Sequence, residues 1–376
     1  MSPIVSFVVP CYKLAHLLGE CIDSILSQTY GDFEILIMDD CSPDDTEKVA
    51  QSFSDSRVRH VRNESNLGNL ANYNKGINLA KGKYIWLISA DDRLRRPYVL
   101  DRYVQFLETH PTVGYVFCPA VRLENGQEGE IIGYSYRGPQ DQVYKGRRFL
   151  AEIIIRGSVV VAASGMARKE CYEKVSLFPL DLPWGGDWYL WSLFALHYDV
   201  AYLAEPMVNY RRHALSMTDE LVSQHPRNCA DSDVEVPRRI LKSVEEAGAT
   251  SLVKTCRIAI ANQYANNLAS RKYKSSMSFH QYTMSLEDFD KSLRIVARGS
   301  DEAKFIRVRA YATAADLCYW QGDFDRALEF YRLAVREDPG LVTIWIKYLL
   351  LGLGHAGIRF RSSMLALRQA IKRARP

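Results

Sequence analysis

The sequence has no apolar run approaching the ~18 residues that a membrane-spanning helix needs, so none of its 376 residues is expected to cross a bilayer. Its eight cysteines (Cys11, Cys21, Cys41, Cys118, Cys171, Cys229, Cys256 and Cys318) form no C-x-x-C pair. Zinc and redox motifs need closely spaced thiols, so neither is indicated. A strong charge imbalance is also lacking. Lys and Arg number 48 against 44 Asp and Glu, a net +4, too little to point to a nucleic-acid partner. The opening runs straight into Ile4 to Val9, which reads as a strand and not as a signal peptide. The expectation is a reduced, cytoplasmic protein. With 47% hydrophobic and 24% charged residues, the composition is that of a globular chain long enough for two domains.

The first ~120 residues alternate apolar strands with amphipathic helices, which predicts a mostly parallel α/β sheet. The run from Ile4 to Val9 is expected to stop at Pro10, which cannot donate to a ladder. A helix follows from about Leu14 to Gln28, with Leu18, Cys21, Ile22 and Ile25 on one face. Further strands are expected at Phe33 to Met38, Val58 to Val61, Tyr84 to Ile88, Gly114 to Pro119 and Ala201 to Leu203. The polar, glycine-rich stretch from Gly126 to Gly138 reads as a hairpin or loop. After Met217 the pattern becomes helical: a linker or irregular helix over Asp219 to Ser232, then helices over Val236 to Ala269 and Ser285 to Ala297.

Two strands end in paired acids, Asp39-Asp40 and Asp91-Asp92. Adjacent carboxylates repel unless a ligand or a cation uses them, and ligands of open α/β sheets bind beyond the carboxyl ends of the strands. A divalent cation takes hard oxygen ligands and shares them with phosphates. Asp44 and Asp45, by contrast, need no more than a place at a helix N-terminus. Asp187, after Gly185-Gly186, is either the N-cap of the helix beginning at Trp188 or a general base. Trp184, Trp188 and Trp191 could stack on a sugar or belong to the core.

Val5 to Tyr12, Ser24 to Thr29, Asp39 to Ser42, Asn66-Leu67-Gly68, Asn74-Lys75-Gly76, Lys83-Tyr84-Ile85, Asp91-Asp92, Gly186-Asp187 and Tyr210 to His213 occur in one order. Together they resemble the family 2 glycosyltransferases over about residues 4 to 217. The resemblance implies a GT-A fold, a Rossmann-like nucleotide-binding half joined to an acceptor half. It also implies roles. Pro10, Tyr12, Asp40, Asn66, Gly68, Asn74 and Asp91 would bind the nucleotide-sugar donor. Asp92 and His213 would hold Mn²⁺ or Mg²⁺, Arg211 and Arg212 would meet phosphate, and Asp187 would be the catalytic base. The family's D-x-D usually begins with Asp where this chain has Ser89, leaving two carboxylates in place of three.

Domains are expected at residues 1–217 (the transferase), 218–300 (a helical extension), 301–340 and 341–376. The third resembles one tetratricopeptide repeat, carrying Gly322, Phe324, Ala327, Tyr331, Ala334 and Pro339 at that family's spacing. The last joins an apolar segment from Val342 to Gly354 to a basic one. Its final twenty residues hold Arg359, Arg361, Arg368, Lys372, Arg373 and Arg375 and no acid, with Phe360, Met364, Leu367 and Ile371 at helical spacing. Two readings stand for it: a helix lying on the inner face of the cell membrane, or a repeat-type helix of the helical core capped by a solvated basic one, or else a protein interface such as one between two copies of the chain. The functional expectation is an inverting, metal-dependent transferase. It would move a sugar from a nucleotide-diphosphate donor, UDP by resemblance, to a saccharide or lipid-linked saccharide in surface polysaccharide or glycoconjugate synthesis. The alternative is a nucleotide-sugar-binding scaffold without catalysis.

Overall fold

A computed structural model of the chain describes residues 2–213, 216–269, 282–354 and 357. Described residues up to 225, with 242–252, form one compact unit; 226–241 and those from 253 onward form a second.

The first unit begins with the expected alternation. Strands β1 (Val5–Cys11), β2 (Phe33–Asp39), β3 (Val58–Arg62) and β4 (Tyr84–Leu87) are joined by helices α1 (Ala15–Leu26), α2 (Thr46–Gln51) and α3 (Asn69–Leu79). There follow β5 (Arg93–Leu94), α4 (Val99–Thr109), β6 (Val113–Phe117), β7 (Ala120–Glu124), β8 (Gln127–Ile131) and β9 (Gln142–Tyr144). The unit continues with α5 (Gly146–Arg156), β10 (Met166–Arg168), α6 (Lys169–Val175), α7 (Gly186–His197), β11 (Asp199–Tyr202), β12 (Val208–Arg211) and α8 (Met217–Gln224).

An eight-stranded sheet runs in the order β3-β2-β1-β4-β10-β6-β11-β9. It is mixed: β3–β2, β2–β1, β1–β4 and β6–β11 are parallel, while β4–β10, β10–β6 and β11–β9 are antiparallel. A second sheet runs β5-β12-β7-β8. Every residue of β1 is buried, which explains its unbroken apolar run, since a strand covered on both faces shows no alternation. Phe7 stacks on Trp86 and Trp86 on Tyr103, at 5.5 and 4.4 Å between ring centres. Gly76 lets α3 lie on this sheet, because a Cβ there would come 2.4 Å from Val8 Cγ1.

One local expectation changes and one open alternative is decided. β1 continues through Pro10 to Cys11, in register with Met38 and Asp39 of β2. Pro10 accepts from the Ala90 amide at 3.1 Å, so its missing N–H faces the side where the ladder with β4 has already ended. The ladder with β2 is untouched. The glycine-rich stretch is a hairpin, β7–β8, turned by Asn125 and Gly126 at φ 50 and 78. Positive φ at both central positions is what a type I′ turn requires.

The second unit is helical: α9 (Pro226–Glu246, of which 226–241 belong here), α10 (Val253–Ala269), α11 (Leu286–Val296), α12 (Ser300–Trp320), α13 (Phe324–Glu337) and α14 (Val342–Gly352). The stretch from Asp219 to Ser232, expected as a linker or irregular helix, is helical, formed by α8 and the start of α9 with a break at His225. α12 and α13 form a hairpin turned at Gly322, φ +80, and capped by Asp323, whose side chain accepts from the Arg326 amide at 3.2 Å. Ala314, Ala315, Ala327 and Ala334 are fully buried, small residues that allow two helices to approach closely, and Tyr331 is buried with them. α14 leaves Val342, Ile346, Leu349 and Leu353 more than half exposed, while Lys347 binds Asp316 at 2.7 Å. The basic segment from Arg359 to Arg375 lies outside the described residues.

Candidate active site

The two paired acids at strand ends have different surroundings. Asp39 is fully buried and accepts from the Ser42 amide at 2.8 Å, Arg62 at 2.5 Å and His60 at 3.2 Å. It locks the turn after β2. Asp40 reaches the other way, accepting from Asn63 Nδ2 and the Leu67 amide at 2.8 Å and the Gly68 amide at 3.0 Å. A carboxylate offers about four acceptor positions, so these bonds leave Asp40 one for a ligand. Asn66 closes the same loop by accepting from Gly68 N at 3.0 Å. Gly68, at φ +81, then opens α3.

Pro10 and Tyr12 adjoin this loop. The Asp40 amide donates to Cys11 O at 3.0 Å, and the Lys13 amide to Ser42 Oγ at 3.2 Å. Tyr12 is 37% exposed, with Lys13 Nζ 5.0 Å from its ring centre. Lys13 and Cys41 both sit at positive φ, 57 and 56, a strained conformation for side chains of this size. Pro10, Tyr12, Asp40, Asn66 and Gly68 therefore share one rim at the carboxyl ends of β1 and β2. Asn74 does not join them: its amide faces Phe178, donating to the carbonyl at 2.8 Å and accepting from the N–H at 2.9 Å.

The second acid pair is tied to that rim by Ala90, bonded to Pro10. The pairing of β5 with β12 carries Asp91 and Asp92 to Arg211 and His213. His213 Nε2 lies 2.9 Å from Asp91 Oδ2, and the Arg211 amide donates to Asp92 Oδ1 at 2.9 Å. Arg211 Nε donates to Asp91 O at 2.8 Å. Asp91 Oδ1 is buried with no hydrogen-bond partner, and burial next to Asp91 pushes the Asp92 carboxyl well above the usual range. An orphaned carboxylate oxygen, a second carboxylate and an imidazole fit a divalent cation. Among the described residues no three His, Cys, Asp or Glu side chains already converge as ligands. Phosphate oxygens and water would complete the shell.

Arg211 and Arg212, expected at phosphate, are paired with protein acids. The guanidinium of Arg211, buried, meets Glu20, which also takes Arg93. Arg212 donates to Asp219 at 3.0 Å. Burial decides this for Arg211, because a buried charge needs a fixed partner.

Asp187 is not the helix cap. α7 begins at Gly186 with Gly185 as N-cap at φ 78, so Asp187 stands in the first turn, its Oδ1 2.7 Å from the Trp188 amide. Burial raises its carboxyl pKa. Burial raises the Tyr73 phenol on α3, and the charges of Asp91, Asp187 and Asp92 add to it. Burial raises the Tyr134 phenol too, with Tyr210, Asp187 and Asp92 adding to it. Two of the three tryptophans are core. Trp188 donates to Ile153 O at 2.9 Å, and Trp191 packs 4.8 Å from Tyr115. Glu20, Asn63, Tyr73, Tyr134 and Phe178 carry no sequence signal of their own, since each matters only through partners far away in the chain.

The glycosyl transferase family 2 profile matches residues 6–167. Those residues are a family 2 glycosyltransferase domain. An uncharacterized glycosyltransferase of Haemophilus influenzae is 25% identical over 326 residues, covering 81% of this chain and 97% of the relative. Glycosyltransferase GlyG of Streptococcus pneumoniae is 37% identical over 110 residues, which is 29% of this chain and 36% of GlyG, so the match spans about a third of that relative. Among solved structures, S. aureus TarS 1–349 in complex with UDP-GlcNAc superposes with a TM-score of 0.59 at 18% identity, covering 93% of this chain and 90% of that one. That likeness shows the GT-A fold of the first unit, followed here by a helical region. The family profile ends before Asp187 and His213, so their roles rest on the geometry above.

Proposed function

We propose that the chain is an inverting, metal-dependent glycosyltransferase. It would take a sugar from a UDP-linked donor and place it on a hydroxyl of a saccharide or lipid-linked saccharide, in surface polysaccharide or glycoconjugate synthesis. The observation that carries this reading is the meeting of Asp91, Asp92 and His213 beside the Asp40 rim. Asp40 and the Asn66–Gly68 loop would hold the nucleoside. Asp91, Asp92 and His213 would hold Mn²⁺ or Mg²⁺, which when bound offsets charge on the departing diphosphate. Asp187 would take the proton of the acceptor hydroxyl as its oxygen bonds to the anomeric carbon and the bond to the diphosphate breaks. A single displacement of this kind inverts the anomeric centre. The raised pKa of Asp187 suits the role, since a carboxylate of higher pKa is the stronger base.

The exposed apolar face of α14, continued in sequence by the six basic residues after Gly357, supports contact with an anionic membrane surface. A lipid-linked acceptor would be presented there. No described helix is long and apolar enough to cross a membrane.

The test is UDP release from UDP-N-acetylglucosamine and other UDP-sugars in the presence of Mn²⁺. Release that needs both the ion and Asp187 supports the enzyme. Tight binding with no release across the panel would favour the scaffold alternative.

A further inference from the structure

Asn74 was expected at the donor, yet its side chain does something else. It makes two bonds to one peptide segment, donating through Nδ2 to Phe178 O at 2.8 Å and accepting at Oδ1 from Phe178 N at 2.9 Å. A primary amide has one donor face and one acceptor face, and both are engaged here by the same residue.

The clamped segment leads to Asp187. The Phe178 ring lies edge-on to Tyr73, centres 5.6 Å apart. It also backs the glycine next to the base: a Cβ on Gly186 would sit 3.4 Å from Phe178 Cδ1 and 3.9 Å from Leu70 Cδ2. Three residues of one helix, Leu70, Tyr73 and Asn74, thus border the stretch between Phe178 and Asp187. Loop 176–185 between α6 and α7 has positive φ at Ser176 and Gly185. The Asn74 clamp holds this loop two residues after Ser176.

The same helix is anchored at its other end to the donor rim. Leu67 and Gly68 donate to Asp40. Within α3, Asn72 donates to Met38 O at 2.8 Å and accepts from Asn63, and Lys75 reaches Asn63 Oδ1 at 2.6 Å. From Gly68 to Asn74 the helix rises about 9 Å at 1.5 Å per residue. A rigid rod of that length joins the carboxylate at the end of β2 to the segment that carries Asp187.

We propose that Asn74 is a positioning residue for Asp187, and that α3 couples the donor loop to the base through it. This rests on the reading of Asp187 as base. Displacement of a catalytic group by about 1 Å can cost as much as 10²-fold in rate, so loss of the clamp should lower turnover and leave donor affinity in place.

Two measurements test the proposal on the full chain. In hydrogen exchange, Asn74→Ala should speed exchange of the amides from Phe178 to Asp187, in the presence of UDP and Mn²⁺, while Leu67 and Gly68 keep wild-type protection. Wild-type exchange across 178–187, or equal loss of protection at both places, would overturn it. The second is a double-mutant cycle on UDP release from UDP-N-acetylglucosamine with water as acceptor. If Asn74 acts through Asp187, Asn74→Ala lowers release about tenfold or more in the wild-type chain and adds little in Asp187→Asn, as residues acting as a unit are non-additive. Full additivity overturns the positioning role while the base stands. A wild-type rate in Asp187→Asn alone would instead remove the base reading.

Discussion

His213 Nε2 and Asp91 Oδ2 lie 2.9 Å apart although 122 residues separate them in the chain. The β5–β12 pairing makes this contact, setting the residues after β4 against the end of β12. It gives the acid pair a histidine that no local pattern around Asp91 announces. Asp92→Ala should lower Mn²⁺-dependent UDP affinity by about 10²-fold and His213→Ala by about tenfold, losses usual when ligands or their supports are removed from a metal site. Titration calorimetry with UDP, with and without Mn²⁺, reads both. Equal affinity in the presence of chelator would contradict the assignment.

The pH dependence of transfer follows from Asp187. Burial raises its pKa, so the base form is lost as pH falls through a value above that of a free aspartate. The acid limb of kcat/KM should lie there and should be missing from the residual activity of Asp187→Asn. The sign for stability is opposite. A carboxyl with a raised folded-state pKa favours folding at low pH, and that contribution disappears as pH rises through the raised value. With Asp92 raised as well, the ion-free protein should gain thermal stability on mild acidification from neutrality. A monotonic loss of Tm over that interval would count against these two environments.

Packing makes its own prediction at Gly146. A Cβ there would lie 1.9 Å from Tyr198 O and 2.3 Å from Ala195 O, backbone atoms that cannot swing aside. Gly146→Ala should destabilise the first unit by about 3 kcal/mol, at the upper end of overpacking costs, visible as a lower denaturant midpoint. Gly126→Ala meets no atom within 4 Å but sits at φ +78, so its cost should be smaller, about 1 kcal/mol.

The α14 face can be tested separately. Full-length protein should sediment with vesicles containing phosphatidylserine at low salt and release them as salt rises, because basic residues contribute about 1 kcal/mol each near an anionic surface and that attraction is screened. Leu349→Glu, at a position 58% exposed, should weaken the binding without lowering Tm. A concentration-dependent dimer that Leu349→Glu dissociates, with no vesicle binding, would assign the face to a second copy.

β1, β2 and β4 were legible from their largely apolar runs and α1 from its 3.6-residue period, while β3, Val58 to Arg62, was read from its β-branched residues between helical stretches. The acid pairs could be located for the same reason, standing where those runs stop. β10 was not legible: Met166 to Arg168 is only three residues, too short for any period. It nevertheless inserts antiparallel between β4 and β6 and makes the sheet mixed. The arginines beside His213 pointed to phosphate by their chemistry alone. Their partners, Glu20 and Asp219, come from a helix almost 200 residues earlier and from the next helix, and only the folded chain shows them. Asn74 was found through its motif, yet its amide bonds to Phe178, since a motif gives the position of an amide and not the direction it faces.

The measurement that bears most directly on the account is UDP release from a panel of UDP-sugars, comparing the wild-type chain with Asp187→Asn and Asp92→Ala at equal donor occupancy. The account predicts release by the wild type with at least one UDP-sugar, dependence on Mn²⁺ or Mg²⁺, and a fall of about 10²-fold or more in Asp187→Asn with donor binding retained. Release unaffected by chelator and by both substitutions would contradict it.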